Sequence, residues 1–425
     1  MESGRTLTGI SRQTGIDKQG MQHFMSHSPW NWRAPIEAVQ DQIAVRPELQ
    51  EGAMILLDES GEERAGEKSA GVARQYLGRL GKVDNGQVGV YVSLAKGPFW
   101  CWVDGELYLP QVWFSDEYAT LRQEVGVEAH RVFLTKAQLG LQLLERSRAA
   151  GVKFEAVGCD GFYGRDGAFR AQLEERHFQY MADVPSNQRV YLSEPKIGLP
   201  THKKGRKAKH ERVLSPKGVR VDSLRKELHT HWQKLTIRAT ERGQLSAEFA
   251  ARQVWTVFQD EQEQFHVRQE MLVMRRDSDG KCYYSLSNAP ASTPLKILAQ
   301  QKCQRFFIER ANQDAKSEFG WDEIQTTKYL AWQHHLALTI LAAWFIAETK
   351  LDWTLDYERD EDLLERYELE VLPALSVANV RALLRAALPL PQLSPAQAID
   401  LVIEHLDNRA RSRRSRLKNH PSTVT

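Results

Sequence analysis

The chain has 425 residues, 42% hydrophobic and 26% charged, with a net charge of +2. These values describe an ordinary soluble globular protein, long enough for two or three structural units and apolar enough to bury a full core. Its four cysteines, Cys101, Cys159, Cys282 and Cys303, are far apart and form no C-x-x-C pair, which argues against a disulfide framework or zinc site and for a reducing cytoplasm.

The first fifty residues read as helical, with Ser28 as candidate N-cap and Pro29 at the first helical position of "SPWNWRAPIEAVQDQIA". The opening "MESGRTLTGI" has no apolar core, so no signal peptide is expected. Three strands follow: "AMILLDES" from Ala53, "GQVGVYVSLA" after the turn signal Asp84-Asn85-Gly86, and "GELYLPQVWF" after Asp104-Gly105. Hairpin connections would make them antiparallel. The helix "KAQLGLQLLERSRAA" has Thr135 as its expected N-cap and Gly151 as its expected stop. A fourth strand, "KFEAVGCD", ends at Asp160-Gly161, and the helix "DGAFRAQLEERH" and the strand "FQYMADVP" complete the series. The expected fold is α/β, a mixed sheet flanked by helices.

After Pro185 the alternation is lost for about a hundred residues, where strand signals at "WTVFQ", "HVRQEMLVMRR" and "KCYYSLS" indicate a β-rich insertion. Helix returns at "TPLKILAQQKCQRFFIERANQDAKSEFG" and in "WQHHLALTILAAWFIAE". The longest apolar run in the latter, Leu336 to Ala347, is twelve residues, which suits a buried helix and not a bilayer span, so no membrane partner is expected. The organisation expected is a helical N-terminal region (1–50), a core in two parts (51–188 and 296–349), an insertion (189–295) and a helical C-terminal region (350–425).

Charge is segregated along this chain. Residues 196–220 hold nine Lys or Arg against the single acid Glu211, among them Lys203, Lys204, Arg206, Lys207 and Lys209, and Arg409 to Lys418 hold six basic residues and no acid. A cationic loop and tail on a nearly neutral protein suit phosphate contacts, with a solubilising loop and a disordered end as the alternative.

Two aspartates close core strands: Asp58 ends "MILLD" and Asp160 ends "FEAVGCD". Either alone is commonly a turn or cap residue. Further on, Arg305, Glu309 and Lys316 fall on one helical stripe, which also describes a surface ion-pair ladder. Hard divalent cations take one or two carboxylates plus water and substrate phosphate. A pair of such ions about 4 Å apart can serve both the attacking and the leaving oxygen of a phosphoryl displacement. Asp58 could bridge two ions, with Asp160 and Glu309 each completing one.

Four stretches carry a resemblance: "LLDESGEERAGEKSAGVARQYLGRLGKVDNGQVGVYVSLA", "AVGCDGFYGRDGAFRAQLEERHFQYMADVP", "RFFIERANQDAKSEFGWDEIQ" and "WQHHLALTILAAWFIAE". In these the chain resembles DDE transposases of bacterial insertion sequences, whose ribonuclease-H-like catalytic domain is interrupted by a β-rich insertion. The resemblance implies Asp58, Asp160 and Glu309 as the catalytic and metal-binding carboxylates, two Mg²⁺ ions for which Mn²⁺ would substitute, and double-stranded DNA at transposon ends and target as partner. It also implies a homodimer on DNA and a cytoplasmic, nucleoid-associated protein. The family's Tyr-Arg-Glu-Lys signature is matched by Arg305, Glu309 and Lys316, while Lys302 stands at the tyrosine position. Lys302, Arg305 and Lys316 are thereby expected to touch DNA phosphates, as are Lys68 and Arg74 in the loop between the first two strands. Trp255, Tyr283 and Tyr284 are candidates for stacking on an extruded base, with packing inside the insertion as the alternative. Glu318 and Glu323 are the competing glutamates, but only Glu309 has both cations at the matching offsets. Neighbours on a helix point about 100° apart, so His334 and His335 are not expected to share a metal.

Overall fold

A computed structural model of the chain describes residues 6–200, 210–227, 230–240, 243–359 and 375–387, with positions 208, 362, 394 and 396 besides. The basic-loop residues Lys203, Lys204, Arg206, Lys207 and Lys209 and the tail from Arg409 to Lys418 lie outside the described residues.

Three helices open the chain: α1 (Leu7–Thr14), α2 (Lys18–Ser26) and α3 (Arg33–Val45). The third begins later than Ser28 and Pro29 suggest. Residues 28–32 are not helical, and the side chain of Asn31 accepts the Arg33 N–H at 3.0 Å. Four strands follow, β1 (Met54–Glu63), β2 (Ala73–Leu77), β3 (Lys82–Lys96) and β4 (Phe99–Leu107). Both expected turns are corrected here, because Asp84-Asn85-Gly86 lies inside β3 and Asp104-Gly105 inside β4. The actual reversals are near Gly81 and Gly97, which have φ of 64° and 55°, a region that glycine enters without steric cost. Beyond Leu107 the expected strand gives way to a short 3₁₀ turn at Gln111–Phe114.

Next come α4 (Ala119–Val125), α5 (Lys136–Ala149), β5 (Ala156–Cys159), α6 (Gly161–Gly164), α7 (Gly167–Glu175) and β6 (Tyr180–Val184). Thr135 caps α5 in a full capping box with Gln138. Short pairs β7 (Arg189–Val190) with β10 (Val219–Arg220), and β8 (Ile197–Gly198) with β9 (Arg212–Val213), come before α8 (Val221–Leu224). Four longer strands complete the insertion: β11 (Gln233–Thr240), β12 (Gly243–Gln259), β13 (Phe265–Arg276) and β14 (Cys282–Ser287). Then α9 (Leu295–Gln304), α10 (Phe306–Ser317) and α11 (Tyr329–Arg359) follow, with a last described helix at Val377–Ala387.

Ten strands form one sheet in the order β11-β12-β13-β14-β6-β5-β1-β3-β2, with β4 sharing the outer edge of β3 with β2. Within it β1 is antiparallel to β3 and parallel to β5, and β5 is parallel to β6. This is a ribonuclease-H-like mixed sheet flanked by helices. The insertion strands continue the same sheet, since β14 pairs with β6 from Tyr284↔Val184 to Ser287↔Met181.

The run "MILL" is continuously apolar because β1 is covered on both faces. Ile55 and Leu57 enter the larger core beneath α3, α5 and α11, while Met54 and Leu56 face a second core closed by Leu298, Phe307 and Ile308 of α9 and α10. Apolar helix α11 is 31 residues long, and its segment Tyr329–Thr354 matches a membrane span in length and composition. It packs on β4 and α3, however, and 61% of its most apolar window is buried in the protein, as suits a core helix.

Candidate active site

Period-two alternation puts Asp58 on the face of Met54 and Leu56, the side covered by α10. Parallel pairing of Leu57 with Cys159 brings Asp160 to the same level on the neighbouring strand. Cys159 points into the larger core, so Asp160 emerges on the α10 face beside Asp58. Here Asp160 also caps α6, with Oδ1 accepting the N–H groups of Phe162 at 2.9 Å and Tyr163 at 3.4 Å. Gly164 keeps that short helix against β6, because a Cβ there would stand 2.0 Å from the carbonyl oxygen of Asp183.

Helix α10 lies over β1 and is tied to it by side chains. Asn312 Nδ2 donates to Asp58 Oδ2 at 3.4 Å, and its Oδ1 accepts from Trp102 Nε1 at 3.0 Å. One turn before Asn312, Glu309 stands at the rim with a side chain 54% exposed and accepts from Arg305 Nη2 at 2.8 Å. Lys316, one turn after Asn312, forms an ion pair with Glu62 of β1. The expected stripe therefore exists, with Arg305 at the junction of α9 and α10 and not inside one continuous helix.

Electrostatics separates the two aspartates from their neighbours. Burial, and then the charge of Asp160, push the Asp58 carboxyl well above the usual carboxylate range. Burial and the nearby Glu59 raise Asp160 as well. Among the described residues, the hydrogen bonds to these two carboxylates come from neutral donors, and the Arg305 guanidinium partly offsets the two crowded negative charges from longer range. Asp183 of β6 is the opposite case. Burial alone would raise it, but the Lys302 ammonium and the Arg305 guanidinium outweigh burial and hold it below the usual range.

Lys302 is only 6% exposed and its ammonium lies 3.1 Å from Asp183 and against Ser285. This corrects the expectation that it meets a DNA phosphate, because an ammonium so enclosed has no surface to offer one. Tyr284 is 4% exposed and belongs to the insertion core, so it is corrected from a base-stacking candidate to a packing residue. Tyr283 is 38% exposed between the cations of Arg275 and Lys281. Trp255 is partly buried on β12, bridged through its backbone to Tyr191. Lys68 is exposed in the loop, and Arg74 is exposed on β2, a strand the sequence does not announce. Arg74 pairs in register with Asn85, whereas Asp58 pairs with Tyr91 on the same strand β3. Six residues of strand, about 20 Å at ~3.4 Å each, separate those levels. Glu318 is bound to Arg381 at 3.1 Å at the far end of α10, and Glu323 lies in the following 3₁₀ turn. His334 stacks on Trp30 and His335 on Trp321, so the two rings meet different neighbours.

The family described as DDE superfamily endonuclease matches residues 1–244, more than half of the chain. The chain belongs to the DDE superfamily of endonucleases. Its sequence is also 26% identical, over 331 residues covering 76% of this chain and 73% of the relative, to the probable transposase for insertion sequence element IS701 of Microchaete diplosiphon. The matched family segment contains Asp58 and Asp160 and ends before Glu309.

DDE endonucleases generally use divalent metal ions, and the residues of this one suit such an ion. Asp58 and Asp160 offer hard oxygen ligands side by side, both with elevated proton affinity, which is the electrostatic signature of a pair short of positive charge. Among the described residues no group of three His, Cys, Asp or Glu is already gathered as a metal cage. Glu309 is held at the rim by Arg305. Sequence reasoning overlooked Asn312, Asp183 and Glu59. The first is marked only by its offset of three from Glu309, and the second only by its position at the end of the strand "FQYMADVP".

Proposed function

We propose that this DDE endonuclease is a DNA transposase: it binds the inverted-repeat ends of an insertion sequence, cleaves them by two-metal phosphodiester hydrolysis and joins the 3′ ends to target DNA. The observation that supports the reading is the levelled pair Asp58 and Asp160, crowded and raised in pKa, beneath the helix that carries Glu309. The similarity to the IS701 protein, named a probable transposase, favours transposition over other endonuclease roles.

In this reading Asp58, Asp160 and Glu309 hold Mg²⁺, with Mn²⁺ as substitute. The ions would supply activation of the attacking oxygen and neutralisation of the leaving one. Asn312 orients the Asp58 carboxylate, while the N–H groups of Phe162 and Tyr163 orient Asp160. Arg305 and Lys316 lie on the same stripe as Glu309 and would face the phosphate backbone, positioning DNA without reading its sequence. Lys68, Arg74, the basic loop and exposed Tyr283 would widen that contact, and Trp255 and residues 1–50 are further candidates. Water and a sugar hydroxyl present the same kind of oxygen to the ions, so one site would perform both cleavage and joining. Two copies on DNA would bring the two ends together, in a cytoplasmic protein associated with the nucleoid.

A strand-joining assay tests the reading. Full-length protein, Mg²⁺, an end duplex with a free 3′ hydroxyl and a supercoiled target are expected to give covalently joined product, lost in Asp160→Asn. Cleavage of ends without joining would reduce the protein to a nuclease, and end binding with neither reaction would make it a non-cutting DNA-binding protein.

A further inference from the structure

Asp58 and Asp160 are two members of a row of three. Cys159 pairs with Ala182 on the next strand, so Asp183 stands level with Asp160, and alternation from Met181 in the second core puts it on the same face. The third carboxylate is saturated, however. Its Oδ1 accepts from Ser285 Oγ at 2.5 Å and from Lys302 Nζ at 3.1 Å, and its Oδ2 meets Arg305 Nε at 2.5 Å. A carboxylate so occupied has no face left for a metal ion.

Arg305 uses its guanidinium in two directions, Nε toward Asp183 and Nη2 toward Glu309. Lys302 is enclosed, with a side chain only 3% exposed. Two cations and two carboxylates, Asp183 and Glu309, therefore cancel, and the charge of the Asp58 and Asp160 pair is left for another partner. Without Asp183 the balance beside that pair would shift by one positive charge, and the Nε edge of Arg305 would lose its anchor.

We propose that Asp183 is a positioning residue for metal binding, acting through Arg305 and Lys302: it fixes the guanidinium so that Glu309 is presented at the rim of the Asp58 and Asp160 pair, and it keeps both cations from neutralising that pair. This rests on the reading of Asp58 and Asp160 as the metal-holding pair. The role is one of orientation and charge balance, as partners behind metal ligands commonly have.

The test is Mn²⁺ binding to the full-length, DNA-free protein, measured calorimetrically and by the electron paramagnetic resonance of free Mn²⁺. Asp183→Asn retains the shape and is expected to weaken Mn²⁺ about tenfold. Lys302→Met removes one cation and is expected to shift affinity the other way, and the double variant Asp183→Asn/Lys302→Met to return near wild type. Opposite signs with mutual rescue are not what a purely structural carboxylate would give. Asp183→Asn binding Mn²⁺ like wild type, or Asp183→Asn and Lys302→Met both weakening it without rescue, would overturn the proposal. Should Asp183→Asn fail to fold, Lys302→Met alone decides, since unchanged or weaker binding contradicts it. Wild type that binds Mn²⁺ no better than Asp58→Asn would remove the metal pair itself, a distinguishable failure that takes the proposal with it.

Discussion

Asp58 is the residue whose environment says most about its use. Burial and the adjacent Asp160 raise its pKa, so in the metal-free protein folding favours the protonated carboxyl. Stability from this source is fully present below the unfolded value of about 3.9 and is lost as pH rises through the raised folded value, at about 1.4 kcal/mol for each unit of elevation. Metal-free protein is therefore expected to lose stability from this source as pH rises above about 4. Asp58→Asn should flatten that slope and raise Tm at pH 8 in the absence of metal, as calorimetry with a chelator present would show. Identical pH profiles for the two proteins would contradict this account of the pair. Asp58 and Asp160 were legible in the sequence because each closes an apolar run, a local signal. Asp183 and Asn312 were not, because their meaning comes from partners far along the chain: Ser285 and Lys302 for the one, Asp58 and Trp102 for the other.

Among the elements, one buried ionic cluster joins the insertion to the core beside the strand pairing of β14 with β6. Arg170 of α7 meets Glu270 of β13 at 2.8 Å, both are 2% exposed, and Tyr180 and Thr256 donate to the same carboxylate. Burial pushes Glu270 up, but Arg170 and these hydroxyls outweigh it and hold it low. Removing one partner leaves the other charge buried without compensation, so Arg170→Met is expected to cost about 3–5 kcal/mol. Urea unfolding checks the figure, and a loss below about 1 kcal/mol would show the cluster to be dispensable. The helix from Lys136 was legible through Thr135 and its apolar spacing. The turns were misread because turn-forming residues serve other ends inside strands. Asp104 is buried between Arg33 and Arg146, and Gly105 is required since a Cβ there would stand 2.7 Å from the Tyr91 ring. Asn85 donates to the carbonyl of Arg64 across the strand. Turn propensity is a local preference, and a buried ion pair or an aromatic ring packed against the backbone overrides it.

At the scale of the whole molecule, one sheet carries both the candidate site and the insertion. The row of carboxylates on β1, β5 and β6 continues to Ser285 on β14, so the insertion contributes a hydrogen bond to the back of the site instead of standing apart from it. The N-terminal helices are pinned to the same body: Arg33 reaches Asp104 of β4 at 2.6 Å, and His334 of α11 is bonded to the carbonyls of Met25 and Trp30. A mixed sheet, an insertion and returning helices could be read from the order of strand and helix signals; the fusion of the insertion into the sheet could not, because it is set by the pairing of β14 with β6 across about a hundred residues. Joint action of Asp58, Asp160 and Glu309 on DNA with a divalent metal is tested by incubating full-length protein with a linear duplex bearing the terminal repeat of its element, with and without Mg²⁺, beside Glu309→Gln, and mapping breaks at nucleotide resolution. A Mg²⁺-dependent break at the repeat boundary is expected, absent in Glu309→Gln while the end is still bound. Cleavage by Glu309→Gln equal to wild type would remove Glu309 from the site, and binding without a break in any divalent metal would contradict the account as a whole.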